Sequence, residues 1–482
     1  MEKSVSKNSV FSMVNKGLSV IFPLITVAYV SRILGASGIG EVSSSQNLST
    51  YFSMAAALGI PSYGVRAIAQ SKKKKEECNK VFTELFTINF ISTIFAVVLY
   101  FIALYFLRKN YHNLLLSFVF SGTIVFNIIN IEWVYQGFEE YRYITIRSFF
   151  IKLVSIVFLF VFVRQRNDLV AYALIICFGS IGNYILNFIN LKKYVNFCWK
   201  NLMLKKHLIP IMTFFVSVIA IEIYSLLDVS MLTTMSTAKN VGYYSNATRI
   251  VKAVANTLTG ISAVLMPRFS YLFAENNKNE IIRLASKFLN ITFLISVPSC
   301  MGIILTADQI VSVLLGTEFY PTINTIRILS ILIVLMPLSG GVFCQLLLTS
   351  GKEKSYLFCV LCGTIVNAIL NYLMIPTYVH NGAAIASVIA EFIVSFSMIM
   401  ISMRVVRISM KRRDIISILF SSIFMVASVL FVRQFLLDGS ISLHLIAEVT
   451  VGVIAYILGV FIFKNSFSNE VINFIRKKTH KV

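Results

Sequence analysis

The feature that most constrains this chain is a succession of apolar stretches, each about 20 residues long, that recurs from near residue 9 to residue 463. A helix of that length crosses the ~30 Å hydrocarbon core of a bilayer. Inside lipid every backbone polar group must be satisfied internally, so only helices and closed barrels can span it. A barrel strand would alternate apolar and polar residues over roughly ten positions, and these runs do not alternate. Charged residues make up 13% of the chain, about half the share usual in soluble proteins, and mean hydropathy is +0.80. The expected fold class is therefore all-α, a polytopic membrane protein.

Apolar windows place fourteen candidate membrane helices, near 9–31, 38–60, 82–107, 112–136, 143–164, 168–191, 207–232, 241–265, 288–306, 326–349, 356–375, 383–403, 415–436 and 443–463. The first run is longer than the 7–15-residue core of a secretory signal and no small-residue cleavage site follows it, so it reads as a membrane helix. The connecting loops sort by charge. Of the 43 Lys and Arg residues, 31 fall in the N-terminus, alternate loops and C-terminal tail, including QSKKKK (70–75), GKEK (351–354) and MRVVRISMKRR (403–413). The other set of loops holds about 8, and four lie within helices. By the positive-inside rule both termini are expected in the cytoplasm. The net charge of +22 thus follows from membrane topology, and no basic soluble domain exists to bind nucleic acid.

A weak internal repeat runs through the chain. GIGEVSSSQNL (38–48) lies against NVGYYSNATRI (240–250), matching Gly40 to Gly242 and Ser43 to Ser245. YQGFEEYRYI (135–144) lies against TSGKEKSYLF (349–358), matching Gly137 to Gly351. Six helices separate the copies, so both have the same orientation. The expected architecture is two pseudo-twofold-related six-helix lobes around a central cavity, spanning 1–200 and 201–405, with two additional helices and a basic tail over 406–482.

Polar groups interrupt the apolar helices at helical spacing. In the eighth, Asn246, Arg249, Lys252, Asn256 and Thr259 share one face. The second carries Ser44, Asn47 and Thr50, the first carries Lys16, and the fifth carries Lys152. A cation at the bilayer centre costs about 2.5–3.5 kcal/mol on the insertion scale, so such residues face a hydrated cavity or a partner. Glu222 falls at a depth similar to Arg249, which makes an ion pair the structural alternative for that arginine. Glu391 stands between Ser387 and Ser395, and Asp228 accompanies Glu222 on the seventh helix. These three acids are the candidates for charge pairing or for carrying a coupling proton or sodium ion. Arg66, Arg142 and Arg147 sit where lipid headgroups are the expected neighbours.

Seven scattered cysteines, with one CxxC (Cys359 and Cys362) inside an apolar helix, and five histidines give no metal-ligand spacing and no redox motif. No loop exceeds roughly 25 residues, and the first outer loop, SRILGASG, has no acid. A membrane polysaccharide polymerase or glycosyltransferase would need one or the other, so the chain is not expected to be an enzyme.

Six stretches taken in order resemble a known family: SRILGASGIGEVSSSQNLSTYF (31–52), LGIPSYGVRAIA (58–69), EWVYQGFEEYRYITIR (132–147), VGYYSNATRIV (241–251), LMPRFSYL (265–272) and NAILNYLMIPTYVHNGAAIASVIAE (367–391). They are similar to the Wzx-type oligosaccharide flippases of the multidrug/oligosaccharidyl-lipid/polysaccharide exporter superfamily. The resemblance implies a polyprenyl-diphosphate-linked oligosaccharide carried from the cytoplasmic to the outer leaflet of a bacterial plasma membrane by alternating access, for O-antigen or capsule synthesis. It implies the polysaccharide polymerase machinery as a partner and no bound cofactor. It also places the diphosphate and glycan against a cationic cavity, which carries over to Lys16, Arg249 and Lys252 with Asn246, Asn256, Asn47 and Thr50 beside them. The second helix departs from the family pattern, because it offers no mid-membrane cation. The alternatives within the same fold are a peptidoglycan-precursor flippase and a cation-coupled drug exporter. A drug exporter would want acids where the eighth helix has Arg249 and Lys252.

Overall fold

The computed structural model describes residues 5–468 apart from 112, 263–264 and 436–439, with side chains from 22 onward except at 24, 217 and 261. It is 88% helix, and no strand occurs among the described residues. Two compact units divide the chain, Met1–Ser245 and Asn246–Val482.

The first unit contains α1 (Val5–Ala57), α2 (Ile60–Ser71), α3 (Lys75–Leu107), α4 (Leu114–Val125), α5 (Glu132–Gly137), α6 (Tyr141–Phe162), α7 (Leu169–Asn190), α8 (Lys205–Met235) and the start of α9 (Ala238–Ser262). The division falls beyond α8 because α8 packs on α1 and α2. The second unit holds the rest of α9, then α10 (Leu265–Ala274), α11 (Lys278–Ile310), α12 (Thr322–Leu329), α13 (Leu332–Pro337), α14 (Phe343–Thr349), α15 (Glu353–Val405), α16 (Arg412–Phe435) and α17 (Ile441–Ile462).

Eleven helical segments among the described residues are long and apolar enough to cross a membrane. Their outward faces carry the large apolar groups that a soluble protein would bury: Phe95, Phe106 and Ile209 are 65%, 76% and 80% exposed. Such faces are stable only against lipid. Where the sequence suggests separate helices, the chain twice forms one 53-residue helix with a bend. In α1 the bend is Gly35, whose φ of 68° lies in the region open to glycine. In α15 it is Val379, φ 51°, three residues after Pro376.

Two expected helices are instead broken. The fourth stops at Val125 and restarts at Glu132, leaving a 3-10 turn at Phe126–Ile129. Asn89 and Asn127 exchange side-chain contacts there, and the Asn89 amide also donates to the Asn127 carbonyl at 2.9 Å. That bond satisfies a backbone group the break has released. The tenth is interrupted by a π segment, Leu338–Val342, right after Pro337, with Gly341 in non-helical geometry. Hydropathy shows neither break, because apolar residues dominate the windows that contain them.

The two copies of the repeat meet in the first unit. A Cβ on Gly40 would stand 1.6 Å from the Ala238 carbonyl oxygen, and one on Gly242 would stand 1.9 Å from that of Ala36. Each glycine therefore faces the residue four positions before the other, so α1 and α9 touch backbone to backbone in a nearly symmetric contact. Nothing larger than hydrogen fits at either position.

Candidate functional site

The polar stripe of the eighth candidate helix lies on α9, as the spacing predicts. Asn246 is fully buried, Arg249 and Lys252 are half-buried, and Asn256 is exposed. With a rise of ~1.5 Å per residue, the two cations stand about 4.5 Å apart along the helix axis. The far end of α9 packs on the π segment: a Cβ at Gly341 would lie 2.9 Å from Ser262 Oγ, and one at Gly340 would lie 3.2 Å from the Thr259 methyl. On α15, Glu391 is buried and accepts a hydrogen bond from Ser339 of that same π segment. One turn further on, Ser395 Oγ donates to the Leu335 carbonyl at 3.1 Å. The second unit thus brings the cationic helix and the buried acid onto one break in the backbone. Interrupted helices whose backbone lines a hydrated path are how many transporters build a site at membrane depth.

In the first unit, the groups expected beside the glycan tie helices together. Asn47 Nδ2 donates to Ser230 Oγ at 2.7 Å and to the Leu226 carbonyl at 3.3 Å, and Ser44 and Thr233 share a hydrogen bond of 2.8 Å. Thr50 donates to the Gln46 carbonyl of its own helix. Asp228 is buried and accepts from the Tyr244 hydroxyl at 2.6 Å. Glu222 is half-buried on α8 in the first unit, whereas Arg249 belongs to the second. The Lys16 side chain lies outside the described residues.

Three charged clusters escape the sequence reading. Arg147, expected at the lipid headgroups, is 4% exposed and makes an ion pair with Glu132 at 2.6 Å while also donating to Asn187. The correction has a physical reason: α6 starts at Tyr141, so Arg147 lies nearly two turns inside it and facing α7, where only a carboxylate and an amide can satisfy it. Arg66 and Arg142 are exposed, as the headgroup reading requires. In the second unit, Arg433 holds Glu448 with two hydrogen bonds, 3.0 Å and 2.7 Å, and Gln309 adds a third at 2.6 Å. Glu132 lies five residues from the end of α5 and Arg147 six from the start of α6, so near-equal distance from the turn is the signal that could have found that pair; Arg433, two residues from the end of α16, and Glu448, seven from the start of α17, do not share that symmetry.

The third cluster has no such signal. Glu84 on α3 is fully buried and accepts from Lys206 Nζ at 2.8 Å and the Met203 amide at 2.7 Å, with His207 Nε2 at 2.8 Å. His207 Nδ1 lies 2.8 Å from the Tyr63 hydroxyl, and burial pushes the Tyr63 phenol up. More than a hundred residues separate Glu84 from Met203, Lys206 and His207, and only the packing of α2, α3 and α8 assembles the cluster.

Comparison with known proteins is consistent across the chain. A family model described as "Polysaccharide biosynthesis protein" matches residues 5–273, and one described as "MatE" matches 214–373. A putative O-antigen transporter of Escherichia coli (strain K12) is 24% identical over 404 residues, covering 82% of this chain and 96% of that protein. Among solved structures, the lipid II flippase MurJ in an inward closed conformation superposes with a TM-score of 0.74 at 16% identity, covering 96% of this chain and 99% of that one. A multidrug resistance MATE family transporter in an inward-facing conformation gives 0.67 at 18% identity, covering 80% and 94%. At these identities the structural likeness establishes the fold.

Proposed function

Because the chain belongs to the polysaccharide biosynthesis protein family, within the multidrug/oligosaccharidyl-lipid/polysaccharide exporter superfamily, we infer that it is a flippase for a lipid-linked oligosaccharide. Its cargo is a polyprenyl-diphosphate-linked repeat unit, moved from the cytoplasmic to the outer leaflet of a bacterial inner membrane and passed to a polymerase. The observation that carries this reading is the pair Arg249 and Lys252, held half-buried on one face of a helix otherwise fit to cross a bilayer. A diphosphate head bears about two negative charges and cannot enter hydrocarbon unaided. Two cations in a hydrated cleft offset its desolvation. The adjacent Asn246 and Asn256, with Asn47 and Thr50 from the first half of the chain, are proposed to meet the sugar hydroxyls, and Lys16 to add a third cation.

Fourteen crossings are proposed, with each bent 53-residue helix counted as two and both termini cytoplasmic. Two lobes, 1–200 and 201–405, exchange access to the site, and no covalent chemistry is required. Glu391 is the preferred carrier of a coupling proton or sodium ion, since it sits on the helix break that α9 also touches. Asp228 is committed to Tyr244 and is the weaker candidate, with Glu222 beside it on α8.

The test is accumulation of lipid-linked oligosaccharide in a bacterium that lacks its flippase, complemented with wild type, Lys252→Ala or Arg249→Ala at equal membrane levels. Wild type should clear the cytoplasmic-side lipid and both variants should leave it there. Normal clearance by both variants would make these cations structural. No clearance by wild type in its own glycan background would overturn the flippase assignment.

A further inference from the structure

On the side that the proposed orientation places in the cytoplasm, the second unit contains a cavity of about 350 Å³. It lies between the first turns of α11, the loop 406–411 that joins α15 to α16, and the segment 463–468 that follows α17. Arg283, Ser286 and Lys287 line it from one face of α11, Ser409 and Lys411 from the loop, and Ser466 from the segment after α17. None of these residues belongs to the site described above.

We propose that this cavity binds the phosphate group of an anionic phospholipid from the surrounding leaflet. The inference uses the proposed orientation and is independent of the nature of the cargo. Charge is the first reason. Arg404, Arg407, Lys411, Arg412 and Arg413 are all exposed, and the stretch 403–413 that carries them holds no acid. Lys411 enters no ion pair or side-chain hydrogen bond among the described residues. Arg283 pairs only with Glu280, one turn away at 3.5 Å and exposed to solvent, a contact of the kind that contributes little. Lys287 has a partner of its own, and the excess of cations does not depend on it. The acid in the wall, Asp414, is buried and accepts from the Ser466 amide at 2.7 Å, so its charge is directed at the backbone.

Hydrogen bonding is the second reason. Ser286, Ser409 and Ser466 make no side-chain hydrogen bond among the described residues, and the ionised oxygens of a phosphate accept from such hydroxyls as well as from ammonium and guanidinium groups. An apolar ligand would leave the hydroxyls unpaired, and a cation would meet like charge. The floor is set before a ligand arrives: Asn290 Nδ2 donates to Asn465 Oδ1 at 3.1 Å, and the Phe467 amide donates to the same oxygen at 2.9 Å. A pre-formed site avoids the cost of ordering its walls. Depth is the third reason, and it selects a lipid over a soluble phosphate. Phe467 lines the cavity and is exposed, as are Ile415, Ile416 and Leu419 in the first turns of α16 after Lys411. Apolar groups so exposed belong against hydrocarbon, so Lys411 stands about one turn from the boundary where lipid headgroups lie. The volume is near the lower limit for small-molecule sites. It takes a glycerophosphate head and excludes a diphosphate that carries an oligosaccharide.

The test is native mass spectrometry of the full chain in an uncharged detergent, titrated with phosphatidylglycerol, phosphatidylcholine or inorganic phosphate. Wild type should retain phosphatidylglycerol in preference to phosphatidylcholine. The double variant Arg283→Gln/Lys411→Gln should hold phosphatidylglycerol at least about tenfold more weakly. Arg66→Gln/Arg142→Gln removes the same charge from exposed positions of the first unit and should bind as wild type does. Equal retention of the two lipids by wild type, or equal losses in the two double variants, would mean that only diffuse charge is at work and would overturn the site. Inorganic phosphate that displaces phosphatidylglycerol at equal concentration would overturn the lipid assignment in favour of a soluble phosphate. The site shares no residue with the proposed cargo site, so its failure would leave the complementation assay and the flippase reading untouched.

Discussion

Replacing Gly40 with alanine tests the closest contact in the fold. The new Cβ would be placed 1.6 Å from the Ala238 oxygen, whereas ordinary contact begins near 3.4 Å, so the α1 and α9 backbones must part by about 1.8 Å. Neither can yield by a rotamer change, since the obstructing atoms are main chain. Overpacking of this kind costs about 1–3 kcal/mol or more, and the upper end applies when backbones must separate. Against it stands the intrinsic helix preference of alanine over glycine, about 1 kcal/mol. The net expectation is a loss of about 2 kcal/mol, or a fall of about 4–8 °C in melting temperature for a unit of this size. Thermal unfolding of detergent-solubilised protein, followed by size-exclusion fluorescence, reads this directly. Gly302→Ala is the internal control, because nothing lies within 4 Å of its Cβ position and it should melt at or slightly above wild type. Gly242→Ala should behave like Gly40→Ala, and the double variant should lose less than the sum, since one separation of the helices relieves both clashes. A Gly40→Ala protein that melts with wild type would refute the close-contact argument.

Two other substitutions probe the buried charges. Glu84→Gln replaces a carboxylate engaged by three groups with an amide that turns a donor toward donors. A loss of about 1–3 kcal/mol is expected, visible as a lower melting temperature and easier proteolysis at the Met203–His207 segment. An unchanged protein would mean the cluster is not held as described. Arg433→Met strands the Glu448 carboxylate, which is 1% exposed, and should cost about 3 kcal/mol, the lower end of the usual range because the arginine side chain is 34% exposed. The double variant Arg433→Met/Glu448→Leu should recover most of that loss, and additive losses would rule out the pairing.

How much of this was legible in the sequence divides along a physical line. Hydropathy is a property of each stretch by itself, set by its transfer from water to lipid, and it identified the helical membrane class and most of the crossing segments. The six ordered stretches placed the chain among the oligosaccharide flippases, and the family match bears that out. The stripe on α9 was legible because spacing alone decides which residues share a helix face. The Glu132–Arg147 pair was legible in principle, since a tight hairpin brings residues equidistant from its turn to one depth. The rest needed tertiary structure. The sequence matched Gly40 to Gly242 as copies of one another, and only the fold shows them pressed together. Arg147 read as a headgroup contact until its burial against α7 was seen. The Glu84 cluster, the Arg433–Glu448 pair and the break at Leu338–Val342 beside Glu391 all depend on which helices are neighbours. Lipid tails are as apolar as leucine, so burying apolar surface gives little preference for one helix neighbour over another. That choice rests on close backbone approach and a few polar contacts between residues distant in sequence, and these take shape only when the helices pack.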